Sequence, residues 1–292
     1  MTEPTPPLRL FDVHAHLISD DPGKYPYAPL GGVVDESVLD DPMTAERLLD
    51  EMKANGVERA VAVQRAHVYG TDNRYVVDAA AANSGTFVSL VLVNPLAEDG
   101  AAAARHWISE GGAVGVRLTA PSMDDRRLDW LASPAAHAVW DTVSDLGANM
   151  RLHFYAWNRD AGLAEAAVLA RRYPDTTIVL DHLSNAAASP DGPDFGVDDA
   201  LKRLSDCPNV SIMFSTINVM KSSAAAVDLA PLVTRISDIF GPGRLMWGSD
   251  VGQSKPSYAE MVAMAISAVR LVPSAGQREI LWETANRVYT KR

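Results

Sequence analysis

The stretch LRLFDVHAH, residues 8 to 16, joins an apolar run to two histidines that are two positions apart. On an extended backbone residues i and i+2 point to the same side, so the imidazoles of His14 and His16 should lie next to each other. A nitrogen from each ring would then face one point at the end of a strand. A pair of solvated or hydrogen-bonded histidines is the alternative that this stretch alone leaves open.

Seven further runs rich in Val, Ile, Leu and Phe follow along the chain. They are ERAVAVQ (58–64), TFVSLVLVN (86–94), AVGVRLT (113–119), NMRLHFYA (149–156), TTIVLDH (176–182), VSIMFST (210–216) and RLMWGSD (244–250). Amphipathic or alanine-rich segments that suit helices lie between them, at 43–56, 71–85, 133–147 and 159–174. Thr44 and Gly56 stand where the first of these helices should begin and end.

Strand and helix that alternate eight times predict an α/β fold, a single and somewhat distorted (β/α)8 TIM barrel with active-site loops at its C-terminal face. A doubly wound open sheet is the structural rival. No change of composition, linker or internal repeat divides the chain, so we expect one domain over residues 1–292. The connections 17–42 and 185–199 are long, and their place after strands with polar ends favours active-site lids.

The active site of such a barrel lies where the strands end, and polar side chains end five of the eight predicted strands. They are His14, His16, Arg117, His153, Tyr155, Asp181, His182 and Asp250. In TTIVLDH, period-two alternation puts Ile178, Leu180 and His182 on one face. In RLMWGSD it does the same for Asp250 and the residues two and four positions before it. If those faces point into the barrel, four imidazoles and a carboxylate meet at its mouth.

Three or more histidines with one aspartate suit a first-row divalent ion that keeps a position for water. The predicted ligands are His14, His16, His153, His182 and Asp250, and zinc is the expected ion. The ion would bring the pKa of its water towards neutrality, and Asp250 could orient that water or take its proton. Local alternatives are a strand-end histidine at His153 and a turn cap at Asp250.

Arg117 closes the strand AVGVRLT, where a buried guanidinium is unfavourable unless it meets an anion. A carboxylate or developing oxyanion of a substrate is one such partner. A structural ion pair with a neighbouring aspartate or glutamate is the other, and the sequence does not separate the two.

Charge and missing motifs exclude several classes of protein. With 26 basic and 37 acidic side chains, the formal net charge of −11 disfavours binding to nucleic acid and to anionic membranes. No run is long and apolar enough to span a membrane, and the opening MTEPTPPLRL lacks the features of a signal peptide, so a cytoplasmic protein is expected. The motifs of serine hydrolases and nucleotide enzymes, G-x-S-x-G, the P-loop and G-x-G-x-x-G, are absent.

A series of segments covers nearly the whole chain: DVHAH, KYPYAP, YGTDNRYVVDA, GVR, ARRYPDTTIVLDHL, CPNV, FGPGRLMWGSD and TANRVY. In this order they resemble the amidohydrolase superfamily, in the branch that contains sugar lactonases and 2-pyrone-4,6-dicarboxylate lactonase. Each motif alone is weak. The ordered series is specific for the family and not for the substrate.

The resemblance implies that Asp250 is the base towards the attacking water and that His14, His16 and His182 lie in the active site with it. Arg117 resembles the arginine that holds a substrate carboxylate or lactone oxygen in the dicarboxylate lactonase. The region of Gln64 and His67 falls where this branch shapes its pocket.

Two departures from the family pattern bear on the metal. Members that hold two metals carry a lysine or glutamate after strand four, where this chain has Arg117, so one ion is expected. The dicarboxylate lactonase works without a metal and has a tyrosine near the end of strand five, where this chain has His153, so catalysis without a metal stays open. In addition, SIMFSTIN lacks the Lys-x-Ser-Gly pattern of sugar lactonases, which argues against a sugar acid as substrate.

We therefore expect a lactonase-like hydrolase that uses an activated water to open a small lactone or cyclic ester, a carboxylate-bearing intermediate of catabolism. The predicted catalytic residues are Asp250, His182 and His153, and the predicted substrate contacts are Arg117, Tyr155, Gln64 and His67. The expected partner is an anionic small molecule, and a homo-oligomer is left open. Hydrolysis of an amide or other C–N bond, decarboxylation of a muconic or aromatic acid, and a barrel that only binds a ligand are the alternatives.

Overall fold

The computed structural model describes residues 8–34, 39–121 and 127–290. Within these ranges it contains one parallel sheet of eight strands, whose order in the sheet is their order in the chain. The strands are Leu10–Ala15 (β1), Val57–Val63 (β2), Phe87–Leu92 (β3), Gly115–Thr119 (β4), Asn149–His153 (β5), Ile178–Leu180 (β6), Val210–Ser215 (β7) and Leu245–Gly248 (β8). Each predicted apolar run overlaps one of them, with β2 beginning one residue before its run, so the predicted (β/α)8 barrel is confirmed.

Helices connect the strands and surround them. They are Ala45–Asn55 (α1), Ala66–Tyr69 (α2), Arg74–Ala82 (α3), Gly100–Ser109 (α4), Asp129–Ala132 (α5), Pro134–Asp145 (α6), Arg159–Arg172 (α7), Asp199–Ser205 (α8), Thr216–Ala224 (α9), Ala230–Phe240 (α10), Tyr258–Ala268 (α11), Ser274–Arg278 (α12) and Thr284–Tyr289 (α13). As predicted, α1 begins where the Thr44 hydroxyl accepts the N–H of Arg47 and ends at Gly56 in the left-handed conformation. None of the helices in the described ranges is long and apolar enough to cross a membrane.

Alternate residues of the strands enter two different apolar cores. In β2, Ala60 and Ala62 face the larger core, which lies between the sheet and the helices. Val61 and Val63 face the smaller core, which fills the inside of the barrel. Trp282, Ala285 and Tyr289 from the C-terminal part of the chain complete this inner core. The inside of the barrel is therefore packed, and the polar strand ends lie beyond it.

The barrel closes between its first and last strands at the level of the polar residues. The N–H of Asp250 donates to the carbonyl of His14 at 2.7 Å, and the N–H of His16 donates to the carbonyl of Val251 at 2.9 Å. A Cβ atom on Gly248 would lie 2.4 Å from the Cβ of His14, so only glycine permits this approach. The closure places Asp250 beside the histidine pair.

The predicted face of β6 is wrong. Ile178 and Leu180 pack in the outer core, whereas Val179 packs inside the barrel, so the inward position that follows is Asp181. His182 reaches the barrel mouth by another route, because its backbone turns into the left-handed region with φ 50°. Alternation holds within this strand, but its odd- and even-numbered faces are opposite to the prediction, and it does not extend to His182 because the strand ends at Leu180.

The long connection after β1 lies against α2 at the same end of the barrel as the histidine pair. The N–H of Ala28 donates to the carbonyl of Val68 at 2.9 Å, and the N–H of Leu30 donates to the carbonyl of Ala66 at 2.8 Å. This part of the connection is therefore fixed beside the strand ends, where a loop that covers a site would be placed.

Candidate active site

His14, His16 and Asp250 form the centre of the barrel mouth. The Nε2 atoms of the two histidines are 3.1 Å apart. Oδ1 of Asp250 lies 3.5 Å from Nε2 of His14 and 3.7 Å from Nε2 of His16. All three side chains are buried. The sequence prediction that these groups converge is confirmed.

Asp250 combines an unusual backbone with an unusual acidity. Its φ is 64°, a left-handed conformation that turns its carboxylate back to the histidine pair. Burial raises the pKa of Asp250 to about 7, although the hydroxyl of Ser254, 2.7 Å from Oδ2, favours the ionised form. Near neutral pH this carboxyl group is therefore able both to take and to return a proton.

His182 begins a run of four residues with positive φ that ends at Asn185. Non-glycine residues are disfavoured in this region, so the turn needs external support. Nδ2 of Asn218 donates to the carbonyl of His182 at 2.9 Å, and Oγ of Ser215 lies 2.7 Å from Nδ1 of the ring. Burial lowers the pKa of His182 to about 3, so the imidazole is uncharged at neutral pH.

Asp181 and two arginines form a buried ion cluster beneath the histidines. Nε of Arg117 donates to Oδ2 of Asp181 at 2.8 Å, and Nε of Arg151 donates to Oδ1. Although burial opposes ionisation, the two guanidinium groups hold the pKa of Asp181 far below its usual value. Arg117 thus has the structural ion pair that the sequence left as one of two alternatives. A guanidinium has further N–H donors, so this pair does not exclude a substrate anion.

Arg151 is a site residue that the sequence predictions missed. It is fully buried, donates through Nη1 to the carbonyl of Val13 at 2.5 Å, and places Nη2 2.7 Å from Nδ1 of His14. The signal was present in NMRLHFYA, because period-two alternation puts residue 151 on the same face as His153. A charged side chain in that apolar strand needed a partner as much as Arg117 did.

His153 lies at the more open side of the centre and is partly exposed. Its ring centroid is 5.5 Å from that of His182 and 4.7 Å from that of Tyr155. Nδ1 of His153 lies 3.1 Å from the hydroxyl of Thr119. The ring of Trp157 stacks parallel to Tyr155 at 5.7 Å. These aromatic side chains form one wall beside the centre, and this wall includes His153 and Tyr155.

The other two predicted contacts lie elsewhere around the mouth. Nε2 of Gln64 donates to the carbonyls of Gly70 and Asp72 at 3.0 and 2.8 Å, so this amide braces the loop after α2. His67 is exposed on α2, next to the connection that follows β1. The structure therefore gives Gln64 a bracing contact and places His67 at the rim.

Among the residues that the structure describes, two groups of side chains could hold a metal ion: His14, His16 and Asp250, and His14, Asp181 and His182, with ligand atoms within 4.8 Å of one another. The first group fits a single ion in ligand type and spacing. Nδ1 of His16 also lies 2.9 Å from the carbonyl of Val63, as is usual for a ligating histidine. In the second group, Asp181 is already held by two guanidinium groups. Neither group contains His153, so the structure does not support it as a ligand.

A model of the amidohydrolase family matches residues 11–291 of this chain. The chain is 29% identical over 201 residues to L-fucono-1,5-lactonase of Burkholderia ambifaria, and the alignment covers 67% of this chain but only 65% of the lactonase. A crystal structure from Pseudomonas putida, assigned as a 2-pyrone-4,6-dicarboxylic acid hydrolase, is similar with a TM-score of 0.70, at 22% identity over 97% of this chain and 98% of that chain. A structure with the same assignment from Acinetobacter baumannii gives a TM-score of 0.71 at 17% identity, over 96% and 98% of the two chains. At these identities the structural matches show a common fold.

Proposed function

The chain belongs to the amidohydrolase family, and on that premise we propose that it is a hydrolase that opens a small lactone or cyclic ester, one that carries a carboxylate, with an activated water. The chain spans about two thirds of the L-fucono-1,5-lactonase that it matches, and the activity of that relative supports the choice of a cyclic ester. The proposal covers the reaction class and leaves the individual lactone to experiment.

The observation that carries the proposal is the buried carboxyl group of Asp250 beside two neutral imidazoles. A general base works best when its pKa lies near the working pH, and the pKa of Asp250 is raised to about 7. Burial holds the pKa values of His14 and His16 well below the usual value for histidine, and the positive charge of Arg151 near His14 and of Arg65 near His16 adds to this effect. Both rings are therefore uncharged at neutral pH and do not take the proton from water. The centre therefore has one group that is suited to activate water.

The reaction needs one proton to move from water to Asp250 and then from Asp250 to the ring oxygen. Asp250 takes a proton from water while the water oxygen bonds to the acyl carbon, and the ring C–O bond then breaks. The same proton, returned by Asp250, neutralises the ring oxygen that leaves. The rings of His182 and His153 lie at this centre with their centroids 5.5 Å apart, and we assign them the role of holding the substrate carbonyl oxygen in place.

Positive charge around the centre supports an anionic substrate. Arg117 retains N–H donors beyond its bond to Asp181, and a guanidinium pairs well with a carboxylate. Tyr155 provides an aromatic edge on the open side, next to His153. We assign the substrate carboxylate to Arg117 and the ring of the substrate to the wall that contains Tyr155.

A single divalent ion, with zinc as the expected one, would be held by Nε2 of His14, Nε2 of His16 and Asp250. Such an ion polarises the carbonyl and lowers the pKa of bound water. The residues named above keep their roles with or without it, since Asp250 remains the proton acceptor and Arg117 remains the anion contact.

A panel of pyrone, muconolactone and aldonolactone substrates, with matched amides and aromatic acids, tests the proposal. Mass spectrometry separates the reaction classes, because ring opening adds one water, amide hydrolysis releases an amine and decarboxylation loses carbon dioxide. We expect ring opening, fastest with a carboxylate-bearing lactone. Amine release or carbon dioxide in place of a ring-opened acid would show that the proposed reaction class is wrong.

A further inference from the structure

The hydrogen bonds around His14 fix which of its nitrogens carries the proton. Nη2 of Arg151 lies 2.7 Å from Nδ1 of His14, and a guanidinium nitrogen can only donate. Nδ1 of His14 is therefore the acceptor and holds no proton. The one proton of this neutral ring must lie on Nε2, the atom that faces His16 and Asp250.

His16 has the opposite arrangement. The carbonyl of Val63 can only accept, so His16 donates to it through Nδ1 and leaves Nε2 as an acceptor for His14. At His182, the amide of Asn218 is oriented by its donation to the carbonyl of His182, so its oxygen faces Ser215.

Oγ of Ser215 lies 2.7 Å from Nδ1 of His182 and 3.4 Å from Oδ1 of Asn218, and its hydroxyl can donate to either atom, so these contacts do not fix the tautomer of His182. His14 and His16, in contrast, hold their protons on opposite ring nitrogens.

We propose that Arg151 is a positioning residue that holds His14 in the tautomer protonated at Nε2, so that any metal ion at this centre must displace either that proton or the hydrogen bond from Arg151. A metal-ligating histidine normally gives its second N–H to an acceptor, and here that position is taken by a donor. Arg151 cannot easily turn away, because it is fully buried and is bound to Asp181 and to the carbonyl of Val13. Arg151 therefore lowers the affinity of the His14, His16 and Asp250 group for a cation.

The tautomer can be read in the unmodified protein. Long-range proton–nitrogen NMR spectra of the 15N-labelled, metal-free chain distinguish the two neutral tautomers of each histidine, and His14→Gln assigns the signals of His14. We expect protonated Nε2 for His14 and protonated Nδ1 for His16. A protonated Nδ1 at His14 would overturn the proposal, and this measurement needs no substrate.

The consequence for metal binding is tested with a matched pair of variants. Arg151→Met and Arg117→Met each remove one guanidinium partner of Asp181, whereas only the first removes the donor to His14. Zinc affinity, measured by competition with a chromophoric chelator on variants shown to be folded, should rise at least tenfold more in Arg151→Met than in Arg117→Met. Equal changes in the two variants would mean that charge alone sets the affinity and would overturn this part of the proposal. Neither result depends on lactone hydrolysis, so the proposed function can fail separately.

Discussion

The carboxylate of Asp12 accepts the backbone N–H of Ser249 at 2.7 Å, across 237 residues of sequence. The same buried carboxylate accepts the N–H of His14, and its second oxygen accepts the hydroxyl groups of Ser249 and Tyr258. One side chain thus joins the histidine pair on β1 to the segment that carries Asp250. The sequence predictions did not include Asp12, although it is the first residue of the motif DVHAH.

Asp12→Asn should lower both stability and turnover. The amide replaces one acceptor oxygen by an NH2 group that meets two hydroxyl donors, and a lost bond to a buried charged group costs about 2 kcal/mol. The free energy of unfolding measured in urea should therefore decrease by about that amount. Turnover should also fall, because His14 and Asp250 are held less firmly in position. Tyr258→Phe, which removes only the hydroxyl contact of Tyr258 with Asp12, should cost less. A free energy of unfolding in Asp12→Asn equal to that of the wild type would contradict the role given to these hydrogen bonds.

The pH dependence of the reaction should report the acidity of Asp250. Since the base must be ionised, kcat/KM should fall about tenfold per pH unit below about pH 7 and should level off above it. Ser254→Ala removes a hydrogen bond that favours the ionised form, so it should move the midpoint of this profile to higher pH. A midpoint that does not respond to Ser254→Ala would indicate that another group controls the profile.

The same pKa shift predicts how the stability of the wild type should change with pH relative to that of Asp250→Asn. The pKa of Asp250 is raised to about 7 in the folded chain, against about 4 for an unfolded aspartate, so the folded state binds this proton more tightly. The stabilisation from that proton is lost as the pH rises from about 4 to about 7. Asp250→Asn does not titrate, so its free energy of unfolding should increase relative to the wild type over this interval and then stay constant. A difference that does not change with pH would be the contrary result.

Gly248→Ala should disrupt the closure of the barrel. The added Cβ would lie 2.4 Å from the Cβ of His14 and 2.6 Å from Cε of Met213. Overpacking of this kind costs about 1–3 kcal/mol, and here it also displaces a site histidine. Gly243→Ala is the matched control, because its added Cβ meets the end of the flexible Arg287 side chain at 3.0 Å. The midpoint temperature of thermal unfolding and the turnover rate should both fall in Gly248→Ala and stay near the wild-type values in Gly243→Ala.

The sequence predicted the parts of this site that depend on regular strands. The positions of the eight strands and the convergence of His14 and His16 follow from apolar runs and period-two alternation, and both are confirmed. Met246 faces the inside of the barrel as the alternation in its strand requires, whereas Asp250 follows the end of that strand and reaches the histidines through a left-handed residue. These predictions hold because burial of a strand leaves little freedom in the direction of its side chains.

The remaining parts depend on irregular backbone or on partners that are distant in the chain. His182 reaches the site through a left-handed turn supported by Asn218, which alternation cannot indicate. The tautomer of His14 depends on Arg151, which is 137 residues away. Asp181 binds two arginines, and this is the structural ion pair that the sequence left as one of two alternatives for Arg117. Pairings of this kind are fixed by three-dimensional packing and leave only an unexplained charged residue as their signal in the sequence.

The most direct test of the central claim is turnover of a lactone that the wild type opens, carried out in 18O-labelled water with the wild type and with Asp250→Asn. General-base catalysis contributes about 10²- to 10⁴-fold to the rate, so we predict that the wild type places one 18O atom in the new carboxylate and that the variant is slower by a factor in this range. Equal turnover by the two proteins, or a product without the label, would contradict activation of water by Asp250.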